Sequence, residues 1–489
     1  MRYKNLYLNI KNWFFRETFA IPLDIFRILA GVLSVFYFYA LLTQVKDFSS
    51  PEGIINHSFF IENWQYLKLN LIQPGVGESF FYIILGIGLI ASFSLIAGFK
   101  PRICAFLLFI ISTSVQRWNF AVIYVDDATM HLLFFWLILL PTGKTLVLSE
   151  YLKEGSKILD NWKETKISSF VINCLIINIC WLYLFAGLTK LVSPMWYQGF
   201  AMYPIMQIPI ARFPDFWKPD HYNFLIVVTY ASLITEIALP FLLLTAKNSL
   251  TKKLGLISQI LFHVGIITIL RIPFANIALA ASAVLFFREE IMEFLFQKKS
   301  DISDLRHKFS FVPIFSLIIV LLICISTMRN VPLVKHVARP VTSALWLIGI
   351  NQHYQLFDWI HRFNFKIERK VGIVPLGLRK QREIKHTDFF PNDVRFILFQ
   401  LRNYDIRWIL HIGKDVVDEL KEDIRNGIAK KYCKKINRDG EVNIITTLHR
   451  ITPDNIYFTK EPKVFDLSFT CYQGKHLTAK EYLLNPSDY

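Results

Sequence analysis

Residues 168–191 read SSFVINCLIINICWLYLFAGLTKL, an apolar run with a single charged side chain, Lys190. A helix needs about 20 mostly apolar residues to cross the hydrocarbon core of a bilayer, and this run has that length. The composition of the whole chain also indicates a membrane protein, because 53% of its 489 residues are hydrophobic and only 19% are charged. Soluble domains carry about 25% charged residues. The run therefore predicts a spanning helix in an integral membrane protein.

Eight other segments are similar to residues 168–191 in their apolar character. These runs predict helices over 22–44, 79–98, 102–122, 128–149, 222–246, 254–270, 274–288 and 309–327. The run at 274–288 is shorter than a bilayer requires, so it is either re-entrant or joined to its neighbour. The sequence thus predicts an α-helical polytopic membrane protein with about eight or nine transmembrane helices in a domain over residues 22–327.

Basic residues concentrate in alternate connections between these runs. They occur before residue 22 and in segments 99–102, 143–167, 247–253 and 287–308. Cytoplasmic loops carry an excess of Lys and Arg, so with nine spans all five segments lie on the cytoplasmic side. The N-terminus is then cytoplasmic, residues 1–21 form an interfacial helix, and residues 328–489 lie outside. The net charge of +16 has the same explanation, so no nucleic-acid partner is predicted.

The polar C-terminal part, residues 328–489, has the pattern of a small α+β extramembrane domain. Residues 414–436 repeat with helical periodicity and place acidic side chains early and basic side chains late, as the helix dipole favours. Residues 442–452 and 463–473 have the composition of strands. These segments predict a domain that combines a helix with a sheet.

The six cysteines fall into two groups. Four lie within apolar runs and are typical of small buried side chains: Cys104, Cys174, Cys180 and Cys324. Cys433 and Cys471 lie in the polar C-terminal part and can form one disulfide if that part is outside the cell. The cysteines have no CxxC or other metal-type spacing, so no metal site is predicted.

Ionisable side chains occur in the middle of several predicted spans. Such groups cost several kcal/mol in hydrocarbon unless they are partnered. Asp24 and Arg27 lie three residues apart in the first span and are predicted to pair. Glu236 and His263 have no charged neighbour in their own helices. They either pair with one another or line a functional pocket.

Acidic residues also precede the fourth predicted span, at Asp126 and Asp127. Acids at a helix N-terminus are stabilised by the helix dipole, which is one explanation for both residues. Asp127 and His131 are four positions apart and share a helix face. His131 is therefore either a buried core residue or a pocket residue together with the two acids.

Lys190 ends the span 168–191 at the predicted outer side. Its ammonium group either snorkels to the lipid headgroups or points inward. Ala186 and Gly187 precede it and allow close helix packing. An inward lysine in apolar surroundings gives up its proton more readily, which makes it a usable general base. Lys190 is thus the predicted catalytic residue, and the further pocket candidates are Asp126, Asp127, His131, Glu236 and His263.

The predicted outer loop that follows, residues 192–221, is rich in aromatic residues and proline. Such a loop forms either the roof of a cavity or an aromatic belt at the membrane surface. The belt is the interpretation that we favour from the sequence, because Trp and Tyr are enriched at membrane interfaces.

Several of these stretches resemble one known family, in the family's order along the chain. FAGLTKLVSPMWYQGFAM (185–202) resembles the Ala-Gly-x-x-Lys-Leu-x-x-x-Trp-x-x-Gly sequence of the vitamin K-dependent γ-glutamyl carboxylases and of the wider horizontally transferred transmembrane domain (HTTM) family. PLDIFRILAGVLSVFYF (22–38) and DDATMHLLFFWLILLPTGKTLVL (126–148) look like earlier parts of that domain. TEIALPFLLL and FHVGIITIL look like later spans, and INQHYQLFDWI (350–360) looks like the start of the outer domain.

The resemblance implies chemistry on a reduced quinone. In the carboxylases, the lysine of that motif deprotonates vitamin K hydroquinone, which oxygen then converts to an alkoxide. The alkoxide removes a γ-proton from a peptide glutamate, and the carbanion captures carbon dioxide. The matching residue here is Lys190. The implied cofactor is a reduced vitamin K-type quinone, and the implied substrate is a secreted peptide or protein.

This chain departs from the carboxylases at three places. Thr189 stands where they have the first of two adjacent lysines, and the pair Asp126-Asp127 stands where they have Asn-His. Residues 361–489 have no evident counterpart of their large outer β domain and propeptide site. The resemblance therefore supports the membrane core better than it supports peptide carboxylation.

Two functional hypotheses follow for a protein that contacts membrane lipid. The first is a carboxylase-like lyase that acts through a quinone, with Lys190 as the base. The second is a non-catalytic membrane protein that binds a lipid or assists a secreted peptide, with Lys190 in a structural role. Transport is less favoured because no inverted repeat is visible. The Lys-, Ile- and Asn-rich composition favours a bacterial cytoplasmic membrane.

Overall fold

The computed structural model describes residues 13–59, 70–297, 311–350, 365–375, 382–404, 414–436 and 439–483. Most of the described chain is helical, and a five-stranded sheet lies near the C-terminus. Residues 1–12 of the predicted interfacial helix lie outside the described residues, as does nearly all of the family-like segment 350–360.

Each of the nine apolar runs contains a helix, because a helix satisfies every backbone group within its own segment. The helices are α1 (Ile21–Thr43), α2 (Glu78–Ala97), α3 (Pro101–Trp118), α4 (Val125–Leu139), α5 (Phe170–Leu191), α6 (Tyr222–Leu243), α7 (Leu250–Ile269), α8 (Pro273–Ala281) and α9 (Phe311–Thr327). A short helix, Ala283–Phe286, continues α8. Each predicted run overlaps its helix and differs from it in the residues at which the helix begins and ends.

Five described helices are long and apolar enough to cross a membrane. They are Ile21–Thr43, Glu78–Ala97, Phe170–Leu191, Pro219–Leu243 and Leu250–Ile269. Pro273–Phe286 and Phe311–Thr327 are apolar but shorter. The described residues thus contain five candidate membrane-spanning helices, whereas the predicted number of eight or nine spans is not confirmed.

The segments with a basic excess meet at one end of the helical bundle. Strand β1 (Glu17–Phe19) pairs with strand β2 (Lys166–Ser168) in antiparallel register. Arg16 contacts Glu289 at 2.6 Å, and Lys252 contacts Glu290 at 2.7 Å. The prediction of a helix through residue 21 is therefore wrong at residues 17–19, where backbone pairing with a distant segment prevails over local helical pattern.

The C-terminal part forms an antiparallel sheet with three further helices, which is the α+β arrangement that the sequence predicts. The sheet order is β4-β3-β5-β6-β7. The elements are α10 (Lys335–Ile348), β3 (Phe365–Pro375), β4 (Arg382–Ile384), α11 (Val394–Leu401), α12 (Lys414–Ile436), β5 (Gly440–Arg450), β6 (Lys463–Tyr472) and β7 (Lys475–Leu483). Helix α12 has the predicted bounds, and β5 and β6 lie within two residues of theirs.

A disulfide joins α12 to the sheet. Cys433 of α12 is bonded to Cys471 of β6, and both side chains are fully buried. The bond closes a sequence separation of 38 residues, which restricts the unfolded chain by about 3–4 kcal/mol. The four other cysteines are free.

The C-terminal part packs on the connections at the opposite end of the bundle from the basic segments. Lys431 of α12 contacts Asp47 at 2.5 Å, and Asn56 donates a hydrogen bond to Asp423 at 3.1 Å. The ring centroids of Phe48 and Phe396 are 4.7 Å apart. One apolar cluster contains buried residues from both parts of the chain. The predicted boundary near residue 328 therefore does not separate two independent cores.

Candidate functional site

A cavity of about 190 Å³ lies inside the bundle, between α4, α5, α6, α7 and α8. Its walls are mostly apolar, and they include Leu132, Trp136, Leu182 and Ile266. Nine polar or ionisable side chains also line it: Thr129, Asn178, Tyr183, Lys190, Ser232, Glu236, His263, Asn276 and Ser282. An apolar cavity with a few convergent polar groups is the usual form of a small-molecule site. Three of the six predicted site residues, Lys190, Glu236 and His263, thus share one cavity.

A glycine brings the two helices with the charged groups together. A Cβ atom on Gly187 of α5 would lie 2.6 Å from Cγ1 and 3.3 Å from the backbone nitrogen of Ile237 in α6. Only a residue without a side chain permits that approach. Gly187 therefore places α6 close enough for Glu236 to reach Lys190, and the close packing expected from the sequence is confirmed.

Lys190 points into the bundle, not towards the headgroups. Its side chain is 7% exposed, and its Nζ donates a hydrogen bond to Oε1 of Glu236, whose side chain is 9% exposed. The Nζ atom also lies 4.8 Å from the ring centroid of Trp196, in the position of a cation–π contact. The snorkelling alternative is therefore wrong. The carboxylate and the ring compensate the ammonium for the loss of water.

Glu236 has an unused acceptor at the cavity. Its Oε2 atom is buried and has no hydrogen-bond partner among the described residues. A buried carboxylate oxygen that lacks a donor costs more than about 1–3 kcal/mol, which a ligand hydroxyl would recover. The sequence located Glu236 in a span but could not name Lys190 as its partner, because 46 positions separate the two.

His263 belongs to a separate hydrogen-bonded group on the cavity wall. Its Nδ1 lies 2.8 Å from Oδ1 of Asn276 in α8, and its Nε2 lies 2.5 Å from the hydroxyl of Tyr183 in α5. Gln259 donates a hydrogen bond to the same hydroxyl at 3.3 Å. The alternative in which His263 pairs with Glu236 is therefore wrong, since other residues supply partners for both, and the two side chains line the cavity instead. His263 holds the wall formed by α5, α7 and α8.

Asp126 caps the N-terminus of a different helix from the one that it begins. Its two carboxylate oxygens accept backbone hydrogen bonds from Phe274 at 3.2 Å and from Ala275 at 2.8 Å. These donors are free amides in the first turn of α8. Asp126 does not line the cavity. Asp126 therefore does stabilise a helix N-terminus, as the helix-dipole interpretation states, but the helix that it stabilises is α8.

Asp127 binds an arginine from the C-terminal part. Arg395 of α11 donates hydrogen bonds to Oδ1 at 2.5 Å and to Oδ2 at 3.2 Å. Tyr37 donates to Oδ1 at 3.0 Å, and the backbone amide of Tyr124 donates to Oδ2 at 3.1 Å. Asp127 therefore anchors the C-terminal part and, like Asp126, does not line the cavity. No sequence pattern marked Arg395, since it lies in a segment that resembled no motif.

His131 is a buried core residue outside the cavity. The side chain is 5% exposed, and its Nε2 has no hydrogen-bond partner among the described residues. Although it shares a helix face with Asp127 by spacing, the partners of Asp127 come from other elements. The structure thus separates Asp126, Asp127 and His131 from the cavity that holds Lys190.

The aromatic and proline-rich loop that follows α5 forms the roof of the cavity. Trp196, Met202 and Ile205 line it, and residues 201–208 are buried. Tyr203 donates a hydrogen bond to the carbonyl of Ile456 at 2.9 Å, which ties the roof to the C-terminal part. The preferred belt interpretation is therefore wrong for this stretch. Exposed aromatic side chains occur further along the loop, as at Phe213.

The cavity suits one substituted aromatic ring. An apolar cavity of about 150 Å³ is enough for benzene, so about 190 Å³ leaves room for polar substituents on the ring. The unpartnered oxygen of Glu236 and the ammonium of Lys190 supply an acceptor and a donor for such substituents. Among the described residues, no group of three or more His, Cys, Asp or Glu side chains is arranged to hold a metal ion.

The family resemblance rests on sequence stretches that the structure places around this cavity, chiefly 185–202 and 126–148. It stays a prediction, because no comparison supports or opposes it. A scan against protein-family models matched none, and searches of curated proteins and of solved structures likewise returned no match.

Proposed function

We propose that this chain binds a reduced vitamin K-type quinone in the cavity and deprotonates it, with Lys190 as the base. The observation that carries the proposal is the buried Lys190–Glu236 pair at an apolar cavity, with one Glu236 oxygen left unpartnered. The resemblance to the HTTM family and the carboxylases points to the same lysine. A reduced quinone would supply an acidic hydroxyl group and the electrons for reaction with oxygen.

The Lys190–Glu236 pair is suited to accept one proton. With an ammonium and a carboxylate, the pair carries no net charge. When the proton that the pair shares lies on Glu236, Lys190 is a neutral amine. This amine accepts the proton of a ligand hydroxyl, which leaves an ammonium beside a protonated Glu236 and a charge of +1 on the pair. The two side chains act as one unit, whichever of them holds a given proton. The positive pair then faces the ligand's new oxygen anion in apolar surroundings, where the attraction is strong.

The surroundings protect this chemistry from water. Trp196, Met202 and Ile205 line the side of the cavity formed by the loop after α5, and the neighbouring walls are apolar. Exclusion of water strengthens the interaction between the pair and a ligand anion and limits side reactions. About 190 Å³ holds the aromatic ring alone, so an isoprenoid tail would extend between helices towards lipid.

A direct test is oxygen-dependent epoxidation of a reduced naphthoquinone by the purified full-length chain in lipid nanodiscs. We expect Lys190→Met to lower the rate by about 100-fold or more, as loss of a general base does. Lys252→Met is a matched control, because Lys252 is also buried, pairs with Glu290 at 2.7 Å and lies 4.9 Å from the Phe287 ring centroid. Equal rates for wild type and Lys190→Met would refute the proposal.

A second candidate is a non-catalytic lipid-binding protein or a helper for a secreted peptide. The mostly apolar lining of the cavity favours it, since an acyl chain needs no base. Mass spectrometry of lipids that co-purify with the protein separates the two functions. Bound phospholipid, without quinone and without epoxidation by wild type, would favour the second candidate.

We also propose that the N-terminus is cytoplasmic and the C-terminal part lies outside a bacterial cytoplasmic membrane. The ion pairs of Arg16 and Lys252 at one end of the bundle and the docking of α12 at the other support this orientation. Single cysteines at the exposed positions Lys153 and Lys460 test it in intact cells. An impermeant thiol reagent should label position 460 and leave position 153 unlabelled.

A further inference from the structure

Three serine and threonine hydroxyl groups line the cavity, and they differ in the hydrogen bonds that they make. Thr129 donates a hydrogen bond to the carbonyl of Val125 at 3.0 Å, and Ser282 donates one to the carbonyl of Leu279 at 2.6 Å. Ser232 also lines the cavity, but within the described part of the chain its hydroxyl group makes no hydrogen bond. Ser232 is therefore free to bind a ligand.

Ser232 and Glu236 lie one turn apart on the cavity face of α6. Residues four positions apart on a helix have Cβ atoms about 5–6 Å from each other. The free Ser232 hydroxyl and the free Oε2 of Glu236 thus form two polar points on one wall. The Cβ separation of two such residues is comparable with the span of a six-membered ring that carries oxygens at para positions.

We infer that Ser232 and Glu236 recognise the two para oxygens of a 1,4-hydroquinone, so that Ser232 sets the preference for a quinol over a phenol. This inference rests on the proposed function and adds a residue that determines the specificity of its site. Glu236, with Lys190, binds the hydroxyl that loses its proton. Ser232 binds the opposite oxygen and orients the ring, and it takes no part in proton transfer. A phenol with one hydroxyl satisfies Glu236 and leaves Ser232 unpaired.

The test compares two probes that differ by one hydroxyl, 1,4-dihydroxynaphthalene and 1-naphthol. Their dissociation constants are measured anaerobically by calorimetry with the full chain in nanodiscs. We expect Ser232→Ala to weaken binding of the diol about 2- to 12-fold, the value of one hydrogen bond, and to change binding of 1-naphthol less than 2-fold. Ser232→Thr, which keeps the hydroxyl, should retain the preference for the diol.

A matched control is Ser94→Ala in α2, since the hydroxyl of Ser94 donates to the carbonyl of Ile90 at 2.8 Å on an exposed helix face. It should bind both probes like wild type. If Ser232→Ala weakens both probes equally or neither, the inference is wrong. The proposed function survives that result provided that wild type binds the diol and Glu236→Gln does not. Binding of neither probe by wild type would overturn both.

Discussion

Arg395 of α11 and Asp127 of α4 form a bidentate ion pair across 268 positions of the chain, with hydrogen bonds of 2.5 and 3.2 Å. The arginine side chain is 5% exposed and the aspartate is fully buried. Asp126, the next residue, caps α8, whose Asn276 holds His263 on the cavity wall. The C-terminal part is therefore connected to the cavity wall by three hydrogen-bonded contacts that are joined through residues adjacent in the chain.

Removal of Arg395 should weaken the packing of the C-terminal part against the helical bundle. Arg395→Met leaves the carboxylate of Asp127 buried with no cation beside it, which costs about 3–5 kcal/mol. We expect a lower unfolding temperature and faster proteolytic cleavage of the C-terminal part. The double variant Arg395→Met/Asp127→Leu should recover most of the loss. Arg382→Met, at an exposed position of the same domain, is the control and should behave like wild type.

Variants of the Lys190–Glu236 pair should show its effect on stability separately from its effect on activity. Each single variant, Lys190→Met or Glu236→Leu, leaves one buried charge unpaired and should lower the free energy of unfolding by about 3–5 kcal/mol. The double variant should approach wild-type stability in thermal unfolding yet have no epoxidase activity. A double variant that keeps activity would show that the pair is only structural.

Gly187 should matter for the geometry of that pair. Gly187→Ala places a methyl group 2.6 Å from Cγ1 of Ile237, so α5 and α6 must move apart at a cost of about 1–3 kcal/mol. We expect weaker binding of 1,4-dihydroxynaphthalene, measured by calorimetry, together with a lower unfolding temperature. Gly86→Ala in α2 is the control, because a Cβ atom there meets nothing within 4 Å. Equal effects of the two substitutions would contradict the prediction.

His386 should make the stability of the C-terminal part sensitive to acid. Burial, and then the nearby Arg369 guanidinium, lower the pKa of His386 to about 3. The neutral ring accepts from the Tyr432 hydroxyl at 2.5 Å and donates to Oε1 of Gln400 at 2.8 Å. An unfolded histidine has a pKa of about 6.5, so between pH 6.5 and 3 the unfolded chain binds the additional proton.

The stability from His386 is thus fully present above pH 6.5 and is lost as the pH falls, by at most about 1.4 kcal/mol per pH unit. Thermal unfolding at pH 7.5 and 5 should show the loss. His386→Gln should lower stability at pH 7.5 and flatten the dependence on pH, whereas His336→Gln, at an exposed position, should leave the dependence unchanged. An unchanged slope in His386→Gln would assign the acid sensitivity to other groups.

The sequence pattern predicted the elements that are stabilised mainly by interactions within their own segment. Residues 168–191 became α5 within two positions, and 414–436 became α12 at the same bounds, because apolar length and dipole-matched charge act within one helix. Strands β3 and β7 were not predicted from the sequence. Their side chains mix charge with apolar residues, and pairing with β5 and β6 decides their conformation.

The sequence by itself determined that Lys190, Glu236, Asp127 and His263 lie in apolar helices or at their ends, and that such groups require partners. Only the tertiary structure decided the partners: Glu236 for Lys190, Arg395 for Asp127, and Tyr183 with Asn276 for His263. The physical reason is that the free-energy cost of burying a side chain depends on its residue type, which is read directly from the sequence. Pairing depends on distances between helices that are remote in sequence, and close contacts such as Gly187 against Ile237 set those distances.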